Sequence, residues 1–263
     1  MPEHPTDVHR DFADADSAIS RTPLVGFLGA ADAVGAVASY RSQLVESLEL
    51  RTGDTVLDVG CGPGTHTAAV ADAHDGPVIG LDRGSMIEEA WAQHPGSSVR
   101  WTIGDAARIP LDDDAVDAVF AERVLMYVVD APAVVAEMMR VLRPGGRIAL
   151  FELDYAGMVL GGDPDTSDAV HEVVCATVND DRMGRRLGPL LADAGAADVR
   201  VHGLALPIPP PLFTAAVARP ARAAVDAGRL AQRGVTEWLE ECERRTTTKL
   251  VPGMLAAARH AVV

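Results

Sequence analysis

The run Val56-Leu57-Asp58-Val59-Gly60-Cys61-Gly62-Pro63-Gly64-Thr65-His66-Thr67 constrains this chain more than any other feature. An apolar stretch carrying Asp58 passes into three glycines at alternate positions, and residues able to open a helix follow at once. Glycines at a strand-to-helix turn permit positive φ and let the backbone approach a ligand with no Cβ in between. The unpaired N–H groups of the helix's first turn point at the same spot. Taken alone, the run is also what an ordinary tight turn looks like.

Its surroundings narrow the choice. Short apolar runs at 55–59, 77–82, 99–103, 115–121, 146–152 and 198–206, bounded by Gly, Asp or Pro, read as buried strands. Helical patterns at 65–74, 85–93 and 131–142 fall between them, the last stopped by Arg143-Pro144-Gly145-Gly146. Strands alternating with helices mean βαβ units and a parallel sheet. Before the first strand, Val37, Tyr40, Leu44, Val45 and Leu48 form one stripe of a helix over 37–50. Past Glu152 the alternation gives way to helical segments at 163–194 and 214–245, read as a lid and substrate chamber. The prolines at 207 and 209–211 read as a stiff extended connector, and the last run, 249–263, as an edge strand. Residues 1–18 have no apolar period and read as a mobile lead-in, leaving 19–263 as a single domain.

Charge limits the partners. With 38 acidic residues against 23 Lys plus Arg, the formal charge is -15, which repels phosphate backbones. Nucleic acid is therefore not the expected partner. No stretch has the length of a membrane span or the form of a secretory signal, so the expected setting is the cytoplasm. Cys61, Cys175 and Cys242 are too few and too scattered for a disulfide framework, and no metal is expected.

The ligand is narrowed by two further strand ends. Asp82 closes the second strand 18 residues after Gly64, near the spacing of roughly 20 at which a carboxylate reaches ribose hydroxyls. It also suits a helix cap for the residues from Ser85. Gly104-Asp105-Ala106 follows the third strand, where a carboxylate or backbone group can meet an adenine amino group. Ligands of open α/β sheets bind at that edge. A nicotinamide dehydrogenase is the rival, but the third glycine comes one residue early for its fingerprint. Asp58 would also face a pyrophosphate there, whereas a cationic, phosphate-free ligand tolerates it.

The series LDVGCGPG, GLD, GDA with IPLDDDAVDAV, and VLRPGGRIAL resembles the class I S-adenosylmethionine-dependent methyltransferases. The likeness is to the small-molecule group that includes the ubiquinone and menaquinone biosynthesis methyltransferases. It covers Tyr40 to Asp154 well and the remainder loosely. The resemblance implies a Rossmann-like, doubly wound α/β sheet of seven strands in the order 3-2-1-4-5-7-6, strand seven antiparallel, under a helical cap. It implies cap helices at about 19–50, a cofactor-binding core at 51–155 and a lid and substrate region at 156–263. It places Asp58, Gly60, Cys61, Gly62 and Gly64 around the methionine and adenosine, Asp82 on the ribose, and Arg83 and Met86 beside the adenosyl group. Gly104, Asp105 and Ala106 fall at the adenine, and Glu122 and Arg123 beside the methionine.

Methyl transfer from a sulfonium is an in-line displacement that needs alignment and exclusion of water, with a base only where the acceptor must lose a proton. Candidate groups are His66, Tyr127, Glu152, Asp154, Tyr155, His171 and His202. Glu152, Asp154 and Tyr155 follow the fifth strand at the ligand edge, and His171 lies in the lid, so these four form the expected catalytic set. The expected partner is a small, partly apolar metabolite, secondary or quinone-like, handled by a monomer or homodimer. The alternative is a protein of this fold that binds the cofactor while catalysing cyclisation or rearrangement, because fold does not fix function.

Overall fold

The computed structural model describes residues 22–244 and 249–262, so the expected lead-in lies outside the described residues. Helices α1 (Thr22–Asp32) and α2 (Gly35–Ser47) precede a regular alternation. It runs through β1 (Val56–Val59), α3 (Thr65–Ala73), β2 (Val78–Asp82), α4 (Gly84–Gln93), β3 (Arg100–Ile103), β4 (Val116–Glu122), α5 (Ala131–Val141) and β5 (Leu142–Leu153). After a 3₁₀ turn (Tyr155–Gly157) come β6 (Val159–Leu160), α6 (Pro164–Cys175), α7 (Met183–Asp193) and β7 (Ala196–Pro207). The chain continues with α8 (Pro210–Asp226), α9 (Gln232–Glu243) and β8 (Lys249–His260).

The strands make one sheet in which β3-β2-β1-β4-β5 are parallel and β8 is inserted antiparallel between β5 and β7. The order expected from the resemblance is thus present. The expected edge placement of the last strand is not: β8 bonds β5 along one side and β7 along the other. Two-residue β6 continues on the β5 side of β8 and has no period long enough to be seen in sequence.

Alternation of side chains across a strand divides the core between two faces. Val56, Ala118, Phe120, Ala149 and Phe151 face Tyr40 and Leu44 of α2, Leu48 just after it, and Val70 of α3. Their neighbours Leu57, Val119, Ala121, Ile148 and Leu150 face the opposite layer, with Val134, Val135 and Met138 of α5 and Leu187, Leu190 and Leu191 of α7. Burial on both sides explains why these strands read as continuous apolar runs.

Several boundaries differ from the sequence expectation, each for a local reason. Helix α5 passes directly into β5 at Leu142, and residues 143–146 loop out as a bulge with Gly145 at φ +78. The segment 163–194 is two helices, interrupted where Asp180 and Asp181 hold the next turn through Arg186 and Ala156 N–H. The segment 214–245 likewise breaks after Asp226, with Gly228 at φ +68. The proline cluster is not a connector: Pro207 ends β7 and Pro210 and Pro211 open α8, where a missing N–H costs nothing.

Gly64 caps α3 at φ +85, and a Cβ there would lie 2.4 Å from the Trp101 ring. Gly64→Ala is therefore expected to destabilise the fold by about 2–4 kcal/mol, combining left-handed strain with a clash against a ring. Urea denaturation checks this, and a loss under about 1 kcal/mol would contradict the packing described. Among the described residues no helix is long and apolar enough to cross a membrane.

Candidate functional site

The carboxyl ends of β1, β2, β3 and β4 open onto a cavity of about 510 Å3. Asp58, Gly60, Cys61, Gly62, Asp82, Arg83, Met86, Gly104, Asp105, Ala106, Glu122 and Arg123 all line it. Gly64, expected beside them, instead faces Trp101 and Ala90. The glycine loop is tied to β2: Gly60 and Cys61 N–H both donate to the Leu81 carbonyl at 2.7 and 3.0 Å. Gly62 N–H donates to Asp82 Oδ2 at 2.7 Å, and Arg83 N–H donates to Asp82 Oδ1 at 2.6 Å. A Cβ on Gly62 would meet no atom within 4 Å, so the loop's middle faces open cavity. Asp105 accepts Ala107 N–H at 2.9 Å and stays exposed at the rim.

Beneath the loop, Asp58 is buried and accepts the Thr67 hydroxyl at 2.6 Å. Burial pushes its carboxyl up to about 7 against the pull of His66 and that hydroxyl. Burial, with Asp58 and Asp82 adding to it, holds the Cys61 thiol well above its usual range, which disfavours the thiolate.

The floor carries a network that sequence reading did not foresee. Glu122, at the end of β4, accepts from the Tyr40 hydroxyl at 2.5 Å and from Arg41 at 2.7 and 3.1 Å. Its carboxylate also lies 3.0 Å from His66 Nδ1 and 3.0 Å from Arg123 Nη2. Arg41 reaches Asp32 at the end of α1, at 2.8 Å. Burial alone would raise the Glu122 carboxyl, but Arg123, His66 and Arg41 outweigh it and hold the group well below its usual range. Tyr40 is visible in the sequence only as part of a helix stripe, and nothing there marks Arg41 or Asp32.

Across the sheet switch, Tyr155, Tyr127, Val128 and Asn179 form the β4–β5 side of the cavity. The hydroxyls of Tyr127 and Tyr155 are hydrogen-bonded to each other. Asn179 Nδ2 donates to the Tyr127 carbonyl at 2.6 Å, stapling the segment after α6 to the loop after β4. Phe27 and Leu28 of α1 lie above, and Val129 stands almost wholly exposed at the mouth.

Of the expected catalytic set, only Tyr155 reaches this cavity. Glu152 turns away to accept Val124 and Leu125 N–H at 2.7 and 2.6 Å. Asp154 is buried against Arg185, at 2.5 and 2.7 Å, and accepts Gly157 N–H at 3.2 Å. His171 Nε2 lies 2.6 Å from the Tyr155 carbonyl. Their placement at the end of β5 and in the lid follows the topology, but each is taken up by the backbone or by an ion pair. His202 lines a separate groove on β7 with Arg200 and Glu46. Among the described residues no three His, Cys, Asp or Glu side chains gather as a metal site.

A mostly parallel open sheet with a glycine loop after β1 and acidic groups at the carboxyl ends of β1, β2 and β3 defines a nucleoside-binding α/β protein. Residues 57–150 match the family model described as a methyltransferase domain. Over those residues, and in its sheet order, the chain is similar to the class I S-adenosylmethionine-dependent methyltransferases. The chain is 36% identical over 179 residues to an uncharacterised 37.1 kDa protein in transposon TN4556 of Streptomyces fradiae, covering 66% of this chain and 52% of that one. It is 34% identical over 138 residues to Methyltransferase GfsG of Streptomyces halstedii, covering 51% and 48%. The chain thus spans about half the length of the curated relatives it matches. Among solved structures, phosphoethanolamine N-methyltransferase 2 of Haemonchus contortus superposes with a TM-score of 0.65 at 15% identity, over 97% of this chain and 60% of that one, a likeness of fold.

Proposed function

We propose that this chain transfers a methyl group from S-adenosylmethionine to a small, largely apolar acceptor. The observation that carries this reading is the pairing of Asp82 with the open side of Gly62. A carboxylate at the end of β2 suits ribose hydroxyls, and a loop position without a Cβ lets the ligand lie against backbone. The cofactor supplies an activated methyl group; all else falls to the chain's own residues. Asp105 and Ala106 flank the adenine end and Met86 gives it an apolar wall. The charged groups of Glu122 and Arg41, with His66, suit the ammonium and carboxylate of an amino-acid tail.

Helices α1 and α2 then cap the site, the core from β1 to β5 holds the cofactor, and the described residues after β5 complete the acceptor chamber through residues such as Asn179. Exclusion of water by Phe27, Leu28 and Val128 serves a displacement that relies on alignment. Calorimetry with S-adenosylhomocysteine tests the binding, and transfer of label from the cofactor into a metabolite extract tests the chemistry. Binding without transfer would favour cyclisation or rearrangement; no binding would end both readings. Asp82→Ala is expected to weaken S-adenosylhomocysteine by about 1–3 kcal/mol, roughly 5- to 150-fold, through loss of charge-assisted hydrogen bonds. Unchanged affinity would remove Asp82 from the site.

A further inference from the structure

We propose that Arg123 receives the acceptor as an oxyanion, so that the molecule methylated is an acidic phenol or enol that arrives already ionised. This inference rests on the methyltransferase reading of the cavity. The β4–β5 side is lined by Arg123, Val124, Tyr127, Val128, Tyr155 and Asn179, a set with one cation and no carboxylate or imidazole. The acidic and imidazole groups nearest this wall are committed elsewhere: Glu122 and His66 to each other, Glu122 also to Arg41, Glu152 to backbone amides, Asp154 to Arg185, His171 to a carbonyl and Asp130, at the mouth, to the cap of α5. No side chain on this wall is placed to take a proton. An acceptor ionised in solution needs none.

Arg123 is short of acceptors. Its Nη2 meets Glu122 at 3.0 Å, but that carboxylate also serves Arg41, Tyr40 and His66, and the buried Arg123 Nε has no hydrogen-bond partner. The backbone holds the residue at φ +57, a left-handed conformation kept in place by its N–H bonding the Phe151 carbonyl at 2.8 Å. Such outliers concentrate where a side chain must be aimed. The groups facing this guanidinium are Glu122 from β4, Tyr40 from α2, Asp32 from α1, Tyr127 from the loop after β4, and Glu152 and Tyr155 from the β5 side. Asp32 is paired with Arg41, and burial keeps both cavity phenols protonated, with Tyr155 pushed up to about 12. A planar guanidinium beside phenol donors suits a delocalised oxygen anion on an apolar body. The positive charge of the cofactor's sulfonium favours the same partner.

Binding separates this proposal from the reading beneath it. With the protein saturated by S-adenosylhomocysteine, the affinities of lawsone, an acidic hydroxynaphthoquinone, and of naphthol, a phenol of ordinary acidity, are measured by fluorescence quenching. Lawsone is expected to bind as its anion, its affinity falling as acid protonates it in solution. Arg123→Gln should weaken lawsone by roughly tenfold or more and naphthol by less than about threefold, while Arg123→Lys retains most of the lawsone affinity. S-adenosylhomocysteine affinity should change by less than about threefold in both variants. The proposal is overturned if lawsone shows no preference for its ionised form, or if Arg123→Gln chiefly weakens S-adenosylhomocysteine, which would make Arg123 a clamp on the cofactor's tail. Failure of the wild-type protein to bind S-adenosylhomocysteine would sink the methyltransferase reading and this inference with it. The wild-type pH series does not depend on either variant folding.

Discussion

Glu152→Leu is expected to cost about 3–5 kcal/mol of folding stability, while Glu152→Gln becomes progressively more stable than the wild type as pH rises. Glu152 Oε1 accepts the N–H groups of Val124 and Leu125, and so fixes the turn that presents Arg123 to the cavity. Leucine fits the apolar surroundings but leaves two buried donors without acceptors, each costing about 1–3 kcal/mol. The charge matters separately. Oε2 is buried with no partner, and burial pushes the carboxyl up to about 8 against the pull of the backbone N–H groups and Arg123.

In the unfolded chain the same group titrates at about 4.3. Between those values the folded state holds a proton that the unfolded state has lost, so stability falls as pH rises through that window. Asp58, pushed up to about 7, acts in the same direction over a narrower range. Glutamine keeps an oxygen for the two amides and cannot ionise. Its advantage should therefore be near zero at about pH 4 and reach the order of a few kcal/mol above about pH 8. Urea denaturation of the three proteins across this range reads it directly; parallel pH profiles for the wild type and Glu152→Gln would show that Glu152 is ionised throughout.

Glu152 also illustrates where reading the sequence stops. Its position near the carboxyl end of β5, at the ligand edge, follows from strand alternation, which is visible because strands buried on both faces leave continuous apolar runs. The direction of its side chain depends on the amides of residues 124 and 125, nearly thirty positions earlier, which have no local signature. The same holds for Asp154, whose partner Arg185 lies on α7, and for His171, bound to a carbonyl of the 3₁₀ turn. Arg41 enters the site because α2 crosses the end of β4, a packing fact that a helix stripe containing Tyr40 only half reveals. Strand order was open to inference from motif resemblance. The internal position of β8 was lost to a residue-level reading that saw only a terminal apolar run.

The three loop glycines look alike in sequence and differ in space, which makes Gly62 the sharpest test of ligand placement. A Cβ at Gly60 would lie 2.3 Å from Val124, and one at Gly64 would strike Trp101, so substitution there disturbs the protein itself. Gly62, at φ +55, has nothing within 4 Å. Gly62→Val is expected to fold with a loss of about 2–3 kcal/mol, the strain of a β-branched residue in the left-handed region, and to lose at least about a hundredfold in S-adenosylhomocysteine affinity. Gly62→Asn separates the two causes, because asparagine tolerates that backbone at small cost. Its stability should stay within about 1 kcal/mol of the wild type while binding still drops by roughly tenfold or more. Calorimetric binding retained in both variants would mean that the ligand does not lie against the loop, and the Asp82 ribose site would fall with it. Loss of binding in folded Gly62→Asn leaves occlusion of the cavity as the cause, since Asp82, Glu122 and the sheet beneath them are untouched.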